Sequence, residues 1–387
     1  MTTIYFDHAA TSPMLPEAIR AYADAAAAGP ANPSSLHRFG REARSRVTAA
    51  RDELARILGC RPEEIAFTGG GTESDNAALY GAARSQRGRD AARRGIVTTA
   101  IEHHAVLNAC RRLEEEGFEL TLLPVDDLGR VSVEDAEAAI GPHTAVVSIM
   151  AANNETGTKQ PIEEIGRIAR RHGAVMHTDA VQAFGYEAFD LSNLPVDLLT
   201  VTAHKIGGPQ GVGALYIRNG TPFQPTQVGG SQERSRRAGT ENVAGIAAFA
   251  AAAKIAHESR EERRSLAETI RRKLIESLER ELGADRFVVN GDPDPAGRLP
   301  SIANIGFSGI ANETMLMNLD LAGVAASGGS ACTSGSLQPS HVLLAMGLSD
   351  HFCKSAVRFS FGMGNTIEEA EKTAKIIATI AARLRKR

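Results

Sequence analysis

Short apolar runs alternate with longer amphipathic segments from the amino end of the chain to Arg218, and few folds accommodate such an alternation. The apolar runs, rich in Val, Ile and Thr, are IAFTGG, GIVTTAIEH, ELTLLPV, TAVVSIMAANN, AVMHTDAVQ, DLLTVTAHKI and GALYIR. The segments between them include HHAVLNACRRLEEEG and PIEEIGRIARRHG, whose apolar residues recur with the period of a helix. A repeat of strand, helix and strand predicts an α/β fold with a mostly parallel sheet covered by helices on both faces.

The pattern changes after Arg218. A polar segment, VGGSQERSRRAGTEN, precedes one very long helical stretch over residues 243–282, and short strands, a serine-rich segment and a terminal helix follow it. A chain of 387 residues is long enough for two domains, at roughly 100–200 residues for each domain. We therefore predict a large domain over residues 15–257 and a smaller α+β domain that combines residues 1–14 and 258–387.

Charge and composition exclude several classes of function. The net charge is −3, and Lys and Arg are spread along the chain, which argues against nucleic acid or a membrane surface as the main partner. No apolar run approaches the roughly 20 residues of a membrane span, and we expect no signal peptide, because no basic region followed by an apolar run begins the chain. The four cysteines form no CxxC pair, so we expect free thiols in a reducing cytoplasm.

Three glycines and the start of a predicted helix follow the first apolar run, in TGGGTESDN. Glycines let a ligand approach the backbone closely, and the amino end of a helix offers unpaired N–H groups and a positive dipole, which suit a phosphate. Gly71 and Thr72 are the candidate anion-binding residues. An ordinary tight turn capped by Thr72 explains the same residues, and the motif by itself does not decide between the two.

Two further runs end in polar side chains at the sheet edge where α/β folds bind ligands. The motifs MHTDAVQ and TVTAHKIGGPQG place five candidates there: Asp179, Gln182, Thr202, His204 and Lys205. A lysine, a carboxylate and phosphate donors are what a pyridoxal phosphate site requires. Singly, a surface lysine, a helix cap or a buried core histidine explains each residue. Because all of these explanations would have to hold together, a pyridoxal phosphate site is the better interpretation.

Cys332 lies among glycines and serines, in ASGGSACTSGSLQPS. A structural cysteine is usually a small buried hydrophobe with apolar neighbours, and these neighbours are polar or lack side chains. The setting favours a cysteine presented for chemistry in a loop that acts as a tether. The other cysteines, Cys60, Cys110 and Cys353, fall in or near helices and turns, and we interpret them as structural.

Ordered motifs run nearly from end to end: FDHAATSP, NPSSLHRFG, FTGGGTESDN, EHHAVL, MAANNETG, HTDAVQ, AHKIGGPQG, RRAGTEN, SGGSACTSGSLQPSHVL and VRFSFG. In these motifs the chain resembles the cysteine desulfurases of the NifS/IscS type, in the class-V aminotransferase family of pyridoxal-phosphate enzymes. The resemblance implies the fold of type I pyridoxal-phosphate enzymes, pyridoxal 5'-phosphate as cofactor and a homodimer. It also implies conversion of L-cysteine to L-alanine, with the sulfur passed as an enzyme persulfide to an acceptor protein.

The resemblance assigns roles to individual residues. Lys205, His103 and Cys332 would be catalytic, and Arg358 with Asn154 would bind the substrate carboxylate. The cofactor would be held by residues from several motifs: Gly71, Thr72, His103, Asn154, Asp179, Gln182, Thr202, His204, Lys205 and, from the partner subunit, Thr240. Within these, Asp179 would pair with the ring nitrogen, and His103 rather than His104 would stack on the ring.

Other functions remain open from the sequence. A selenocysteine lyase would use the same cofactor residues, and a catalytically silent scaffold would keep the fold to bind partners. A catalytically silent scaffold is expected to lack Lys205, Cys332 or Arg358, and this chain has all three. An aminotransferase has no use for the loop cysteine. The sulfur acceptor is undetermined among an iron–sulfur scaffold, a tRNA-thiolating enzyme and a sulfur-carrier protein.

Overall fold

A computed structural model describes residues 3–30, 32–329 and 339–384 of the chain. Cys332 lies outside the described residues. The strands are β1 Ile4–Tyr5, β2 Ile65–Thr68, β3 Gly95–Thr99, β4 Glu119–Leu123, β5 Thr144–Ser148, β6 Val175–Asp179, β7 Leu198–Thr202, β8 Gly213–Ile217, β9 Phe287–Asn290, β10 Ile302–Phe307, β11 Val324–Ala325 and β12 Ala356–Ser360. The helices are α1 Pro16–Ala27, α2 Arg38–Leu58, α3 Gly71–Arg89, α4 His104–Glu115, α5 Val133–Ala139, α6 Ile162–Arg171, α7 Gln232–Ser235, α8 Val243–Glu258, α9 Arg260–Leu282, α10 Asn312–Leu321, α11 His341–Ala345, α12 Asp350–Cys353 and α13 Ile367–Leu384.

In the part of the chain that the structure describes, seven strands form one sheet in the order β2-β8-β7-β6-β5-β3-β4. The pairs β4–β3, β3–β5, β5–β6 and β6–β7 are parallel, and β8 is antiparallel to both β7 and β2. Each of the apolar runs in the sequence contributes one of these strands. Strands buried on both faces need apolar residues throughout, whereas the edge strand β4 is largely exposed. The predicted mostly parallel α/β sheet is confirmed.

Helices cover both faces of this sheet. Ile96 and Val97 are neighbours in β3, so their side chains point to opposite faces. Ile96 belongs to a buried cluster with Leu79 of α3 and Val106 of α4, whereas Val97 belongs to another with Leu54 of α2. No helix among the described residues has both the length and the apolar character needed to cross a membrane.

The single long helix predicted over residues 243–282 is wrong at one point, because the structure has two helices that part at Ser259. The Ser259 hydroxyl donates a hydrogen bond to the Ile255 carbonyl at 2.7 Å, a local contact that competes with the helical backbone pattern. The break lets α8 pack on α1 and α2 while α9 packs on α13. Residues 246–282 contain no Pro or Gly to signal the break.

The short α7 turn is left-handed, with φ angles of 47°, 56° and 60° at Glu233, Arg234 and Ser235. This conformation is unfavourable for residues with a side chain, so the surrounding structure must hold it. The buried Glu233 carboxylate does so by accepting hydrogen bonds from Arg51 at 2.6 and 2.9 Å and from the backbone N–H of Phe67 at 2.9 Å. The polar segment after Arg218 is thereby tied to β2.

Strands near the two ends of the chain meet. Within the described residues, β12, β10 and β9 form an antiparallel three-stranded sheet, and β1 pairs in parallel with β11. Asp7 forms an isolated parallel bridge with Ser360, which brings the amino-terminal segment beside β12. The division into domains at residues 15–257, 1–14 and 258–387 stays a prediction.

Candidate active site

A cavity of about 270 Å³ opens at the carboxyl ends of the central strands. This volume is close to the roughly 300 Å³ at which the usual range of ligand pockets begins. The cavity is therefore of a size for a small ligand. Strands β6 and β7 end in it with Asp179 and Thr202, and α3 begins beside it. It is lined by Ala9, Ala10, Gly71, Thr72, Asp75, His103, Met150, Ala152, Asn154, Asp179, Val181, Gln182, Thr202, His204, Lys205 and Arg358.

The structure brings most of the residues singled out from the sequence into this one cavity. The exceptions are Thr240, which is exposed and outside the lining, and Cys332, which lies outside the described residues. His104 does not line the cavity and contacts His341 instead, with ring centroids 4.6 Å apart. The lining also contains residues that the sequence analysis did not select: Ala9, Ala10, Asp75, Met150, Ala152 and Val181.

The amino end of α3 differs from the sequence expectation in detail. The helix begins at Gly71, and Gly70 is its cap, with φ 149° and ψ −177°, a conformation that favours glycine. No side chain caps it, so the alternative of a turn capped by Thr72 is wrong. Glu73 instead accepts a hydrogen bond from the backbone N–H of Gly69 at 2.7 Å. The first turn of α3 thus lacks a side-chain cap, and its residues Gly71 and Thr72 line the cavity, where unpaired N–H groups suit an anion.

Lys205 reaches the cavity through contacts with the amino-terminal segment. Its Nζ donates hydrogen bonds to the carbonyls of Ala9 at 2.5 Å and Ala10 at 2.6 Å. The Ser12 hydroxyl donates to the Lys205 carbonyl at 3.0 Å, which ties the same segment to the backbone after β7. Ala9, Ala10 and Ser12 belong to the FDHAATSP motif. The sequence analysis found this motif among those shared with the family but assigned no role to its residues.

Asp179 is almost completely buried, with 6% of its surface exposed. Its Oδ1 accepts a hydrogen bond from the Val181 N–H at 2.9 Å. Burial raises the pKa of Asp179 to about 6, and the Val181 N–H and the Lys205 ammonium oppose this rise. A cationic partner in the cavity would stabilise the carboxylate further.

His103 caps α4 and lines the cavity. Its Nδ1 accepts a hydrogen bond from the Ala105 N–H at 3.1 Å, which orients the ring. Burial lowers the pKa of His103 to about 4, and the nearby Lys205 ammonium lowers it further. The imidazole is therefore neutral near pH 7 and adds no charge where a flat ring would lie against it.

Arg358 is the largest of the fully buried side chains, with 1% of its surface exposed. Its Nη1 donates to the Asn154 carbonyl at 2.9 Å, and its Nη2 donates to Asp7 Oδ1 at 3.1 Å. The guanidinium is thus oriented by two distant segments and lines the cavity. A planar cation held in this way suits recognition of a carboxylate.

The donors in the cavity fit pyridoxal phosphate. The uncapped first turn of α3, with Thr72, and the side chains of Thr202 and His204 suit the phosphate. The carboxylate of Asp179 suits a protonated ring nitrogen, and the Lys205 amine suits the aldehyde. All of these groups line one cavity.

Residues 4–373 match the family described as aminotransferase class-V. The "Putative cysteine desulfurase IscS 1" of Bacillus subtilis (strain 168) is 46% identical over 99% of this chain and 100% of that protein. The "Cysteine desulfurase IscS" of Methanosarcina thermophila is 42% identical over 99% of this chain and 93% of that protein. A solved structure titled "NIFS-LIKE PROTEIN" superposes with a TM-score of 0.90 at 36% identity, covering 99% of this chain and all of that one. The chain therefore belongs to the class-V aminotransferase family, among its cysteine desulfurases.

Proposed function

We propose that this protein is a pyridoxal-phosphate-dependent cysteine desulfurase that converts L-cysteine to L-alanine and receives the sulfur on Cys332. The observation that carries the proposal is the convergence of Lys205, Asp179 and Arg358 on one cavity at the strand ends. A lysine, an acid and a carboxylate-binding arginine are the parts that an amino-acid enzyme of this cofactor needs.

When bound, pyridoxal phosphate supplies a ring that withdraws electrons from the α-carbon of an amino acid. Lys205 then has two tasks, to hold the cofactor covalently and to move a proton at the α-carbon. Its amine is oriented for the second task by the carbonyls of Ala9 and Ala10, which accept hydrogen bonds from Nζ. Asp179 would keep a proton on the ring nitrogen, because an adjacent carboxylate favours the charged form of a basic nitrogen.

Substrate orientation is the proposed task of Arg358. Two of its nitrogens are already held by Asp7 and the Asn154 carbonyl, so little conformational entropy is lost when a carboxylate binds. Its Nε makes no hydrogen bond to any described residue, although it is buried. With the second N–H of Nη1 and of Nη2, it leaves three of the five guanidinium donors for the carboxylate of L-cysteine.

Cys332 is the proposed sulfur acceptor. Its thiolate forms an S–S bond with the substrate sulfur while the bond from that sulfur to the substrate β-carbon breaks, and the freed electron pair takes up a proton on carbon. In net terms a thiol and L-cysteine become a persulfide and L-alanine, with atoms and electrons balanced. Cys60 and Cys110 are poor candidates, because burial raises the pKa of Cys60 to about 12 and also raises that of Cys110. Cys353 is buried as well.

The direct test is product analysis with L-cysteine as the substrate. We expect alanine and sulfide in equal amounts when a thiol reductant is present, and a persulfide on Cys332 by mass spectrometry when it is absent. An enzyme that instead passes the amino group to a keto acid, without releasing alanine, would contradict the proposal. A parallel assay with L-selenocysteine tests the alternative that the protein is a selenocysteine lyase. Such an enzyme would turn over L-selenocysteine but not L-cysteine.

A homodimer is part of the proposal, with Thr240 completing the phosphate site of the other subunit. Thr240 is exposed, as are the apolar side chains of Leu36 and Val228, at 82% and 81%. We expect Thr240→Ala to weaken cofactor binding about tenfold, the effect of losing one hydrogen bond to a charged group. Light scattering should give the mass of a dimer.

Mixing two variants tests the shared site. A Lys205→Ala subunit keeps Thr240, and a Thr240→Ala subunit keeps Lys205, so a mixed dimer contains one intact site. We expect tight cofactor binding at the single Lys205 site of each mixed dimer, which is about half of all Lys205 sites in a fully exchanged one-to-one mixture. No recovery after verified subunit exchange would place Thr240 outside the partner's site.

A sulfur-acceptor protein and a cytoplasmic location complete the proposal. Both follow from the chemistry, because a persulfide has to be handed on and Cys332 has to stay reduced between turnovers. Direct binding of nucleic acid is not part of it.

A further inference from the structure

A second carboxyl group, on Asp75, lines the same cavity as Asp179. Asp75 lies in the first turns of α3 and is 1% exposed. Its Oδ1 is buried and accepts no hydrogen bond from any described residue. An ionised carboxylate with an unsatisfied oxygen in such a place is costly, whereas a protonated acid loses much less.

Among the described residues, no Lys or Arg forms an ion pair with Asp75. The basic group beside it is His177 of β6, whose Nε2 is 3.6 Å from Asp75 Oδ1, which is too long for a hydrogen bond. The ring nitrogens of His177 contact hydroxyls instead, Ser148 Oγ at 2.8 Å and Thr200 Oγ1 at 3.1 Å. Burial lowers the pKa of His177 to about 3, so the imidazole is neutral.

The cavity wall also carries basic side chains, those of Lys205, His103, His204 and Arg358. The groups whose charge acts directly on Asp75 are acidic. They come from the elements packed against α3: Asp179 at the end of β6, Glu102 after β3 and Cys110 in α4. Burial and the charge of Asp179 raise the pKa of Asp75 well above its ordinary value, and Thr200 opposes this only in part. Two buried carboxyl groups that repel each other do not both ionise.

The geometry decides which of the two carries the charge. Asp179 accepts a hydrogen bond from the Val181 N–H at 2.9 Å and interacts with the Lys205 ammonium, whereas Asp75 Oδ1 accepts no hydrogen bond from the described part of the chain. We propose that Asp75 keeps its carboxyl proton and thereby confines the single negative charge of the pair to Asp179. Asp75 is a positioning residue in this sense, since it places a charge without binding the cofactor. The proposal rests on the function proposed above, in which Asp179 meets the ring nitrogen.

Infrared spectroscopy of the full-length, cofactor-loaded protein tests this directly. At about pH 8, far above the roughly 3.9 of an ordinary aspartate, the wild type minus Asp75→Asn difference should contain the carbonyl band of a protonated carboxylic acid. The wild type minus Asp179→Asn difference should contain carboxylate bands instead. Carboxylate bands in the Asp75 difference would overturn the proposal.

A second measurement needs no variant. Labelling all aspartates with carbon-13 at the side-chain carboxyl shifts every aspartate band and leaves glutamate bands in place. This separates Asp75 from Glu102, the pKa of which burial raises to about 8. Absence of a shifted protonated band in the labelled wild type at about pH 8 would also overturn the proposal.

The cofactor-free protein separates this inference from the proposed function. We expect Asp75→Asn to leave the titration midpoint of Asp179 within about half a pH unit of wild type, because one neutral group replaces another. If Asp75 were ionised, its removal would lower that midpoint by about one unit or more. These outcomes hold whether or not the loaded enzyme releases alanine, so each proposal can fail alone.

Discussion

Replacing Lys205 with alanine is expected to abolish the covalent attachment of pyridoxal phosphate and to slow alanine formation by about a thousandfold or more. The reason is that one amine both holds the cofactor and moves the proton, and the cavity wall offers no second lysine in the described residues. Borohydride reduction followed by peptide mass spectrometry measures the attachment. Attachment of the cofactor to a different lysine would contradict the assignment.

The fold should survive this replacement. The lost ammonium leaves the carbonyls of Ala9 and Ala10 without its hydrogen bonds, at a cost of about 1–3 kcal/mol. Lys254→Ala is a suitable control, because Lys254 is 56% exposed and pairs only loosely with Glu258 at 4.0 Å. We expect the control to retain both attachment and turnover.

Replacing Cys332 with alanine is expected to give a folded protein that still binds pyridoxal phosphate and L-cysteine but releases alanine at least about a hundredfold more slowly. Binding depends on Lys205, Asp179 and Arg358, which the replacement leaves in place. Sulfur transfer depends on a thiolate, which it removes. Alanine release, bound persulfide and the melting temperature together measure the effect.

The control for Cys332 is Cys60→Ala. Cys60 is half-buried, and its raised pKa keeps it a thiol, so we expect normal persulfide formation from this variant. A structural Cys332 would show the reverse pattern, with a lower melting temperature and nearly normal turnover per folded molecule. Wild-type alanine release from a folded Cys332→Ala protein would defeat the proposed mechanism.

Local pattern was enough to predict the sheet and the side of it that holds the cavity. Apolar runs predicted the strands because a strand buried on both faces has to be apolar throughout, and parallel strands bring their carboxyl ends to one edge. Asp179 and Lys205 could therefore be placed together from their positions after two such runs. The break between α8 and α9 at Ser259 was not predicted. The hydrogen bond from the Ser259 hydroxyl to the Ile255 carbonyl does not change the spacing of apolar residues from which helices are predicted.

The sequence by itself determined the cofactor chemistry, because the residue types at the strand ends and in the ordered motifs restrict what can bind there. Only the tertiary structure decided which backbone groups and neighbouring side chains contact those residues. Asp7 is 351 positions from Arg358 and meets it through the pairing of the amino-terminal segment with β12. Ala9 and Ala10 contribute carbonyls, which every residue possesses, so no residue type could reveal them. The burial of Asp75 beside Asp179 depends on how α3 packs across the sheet, and burial sets the cost of a charge.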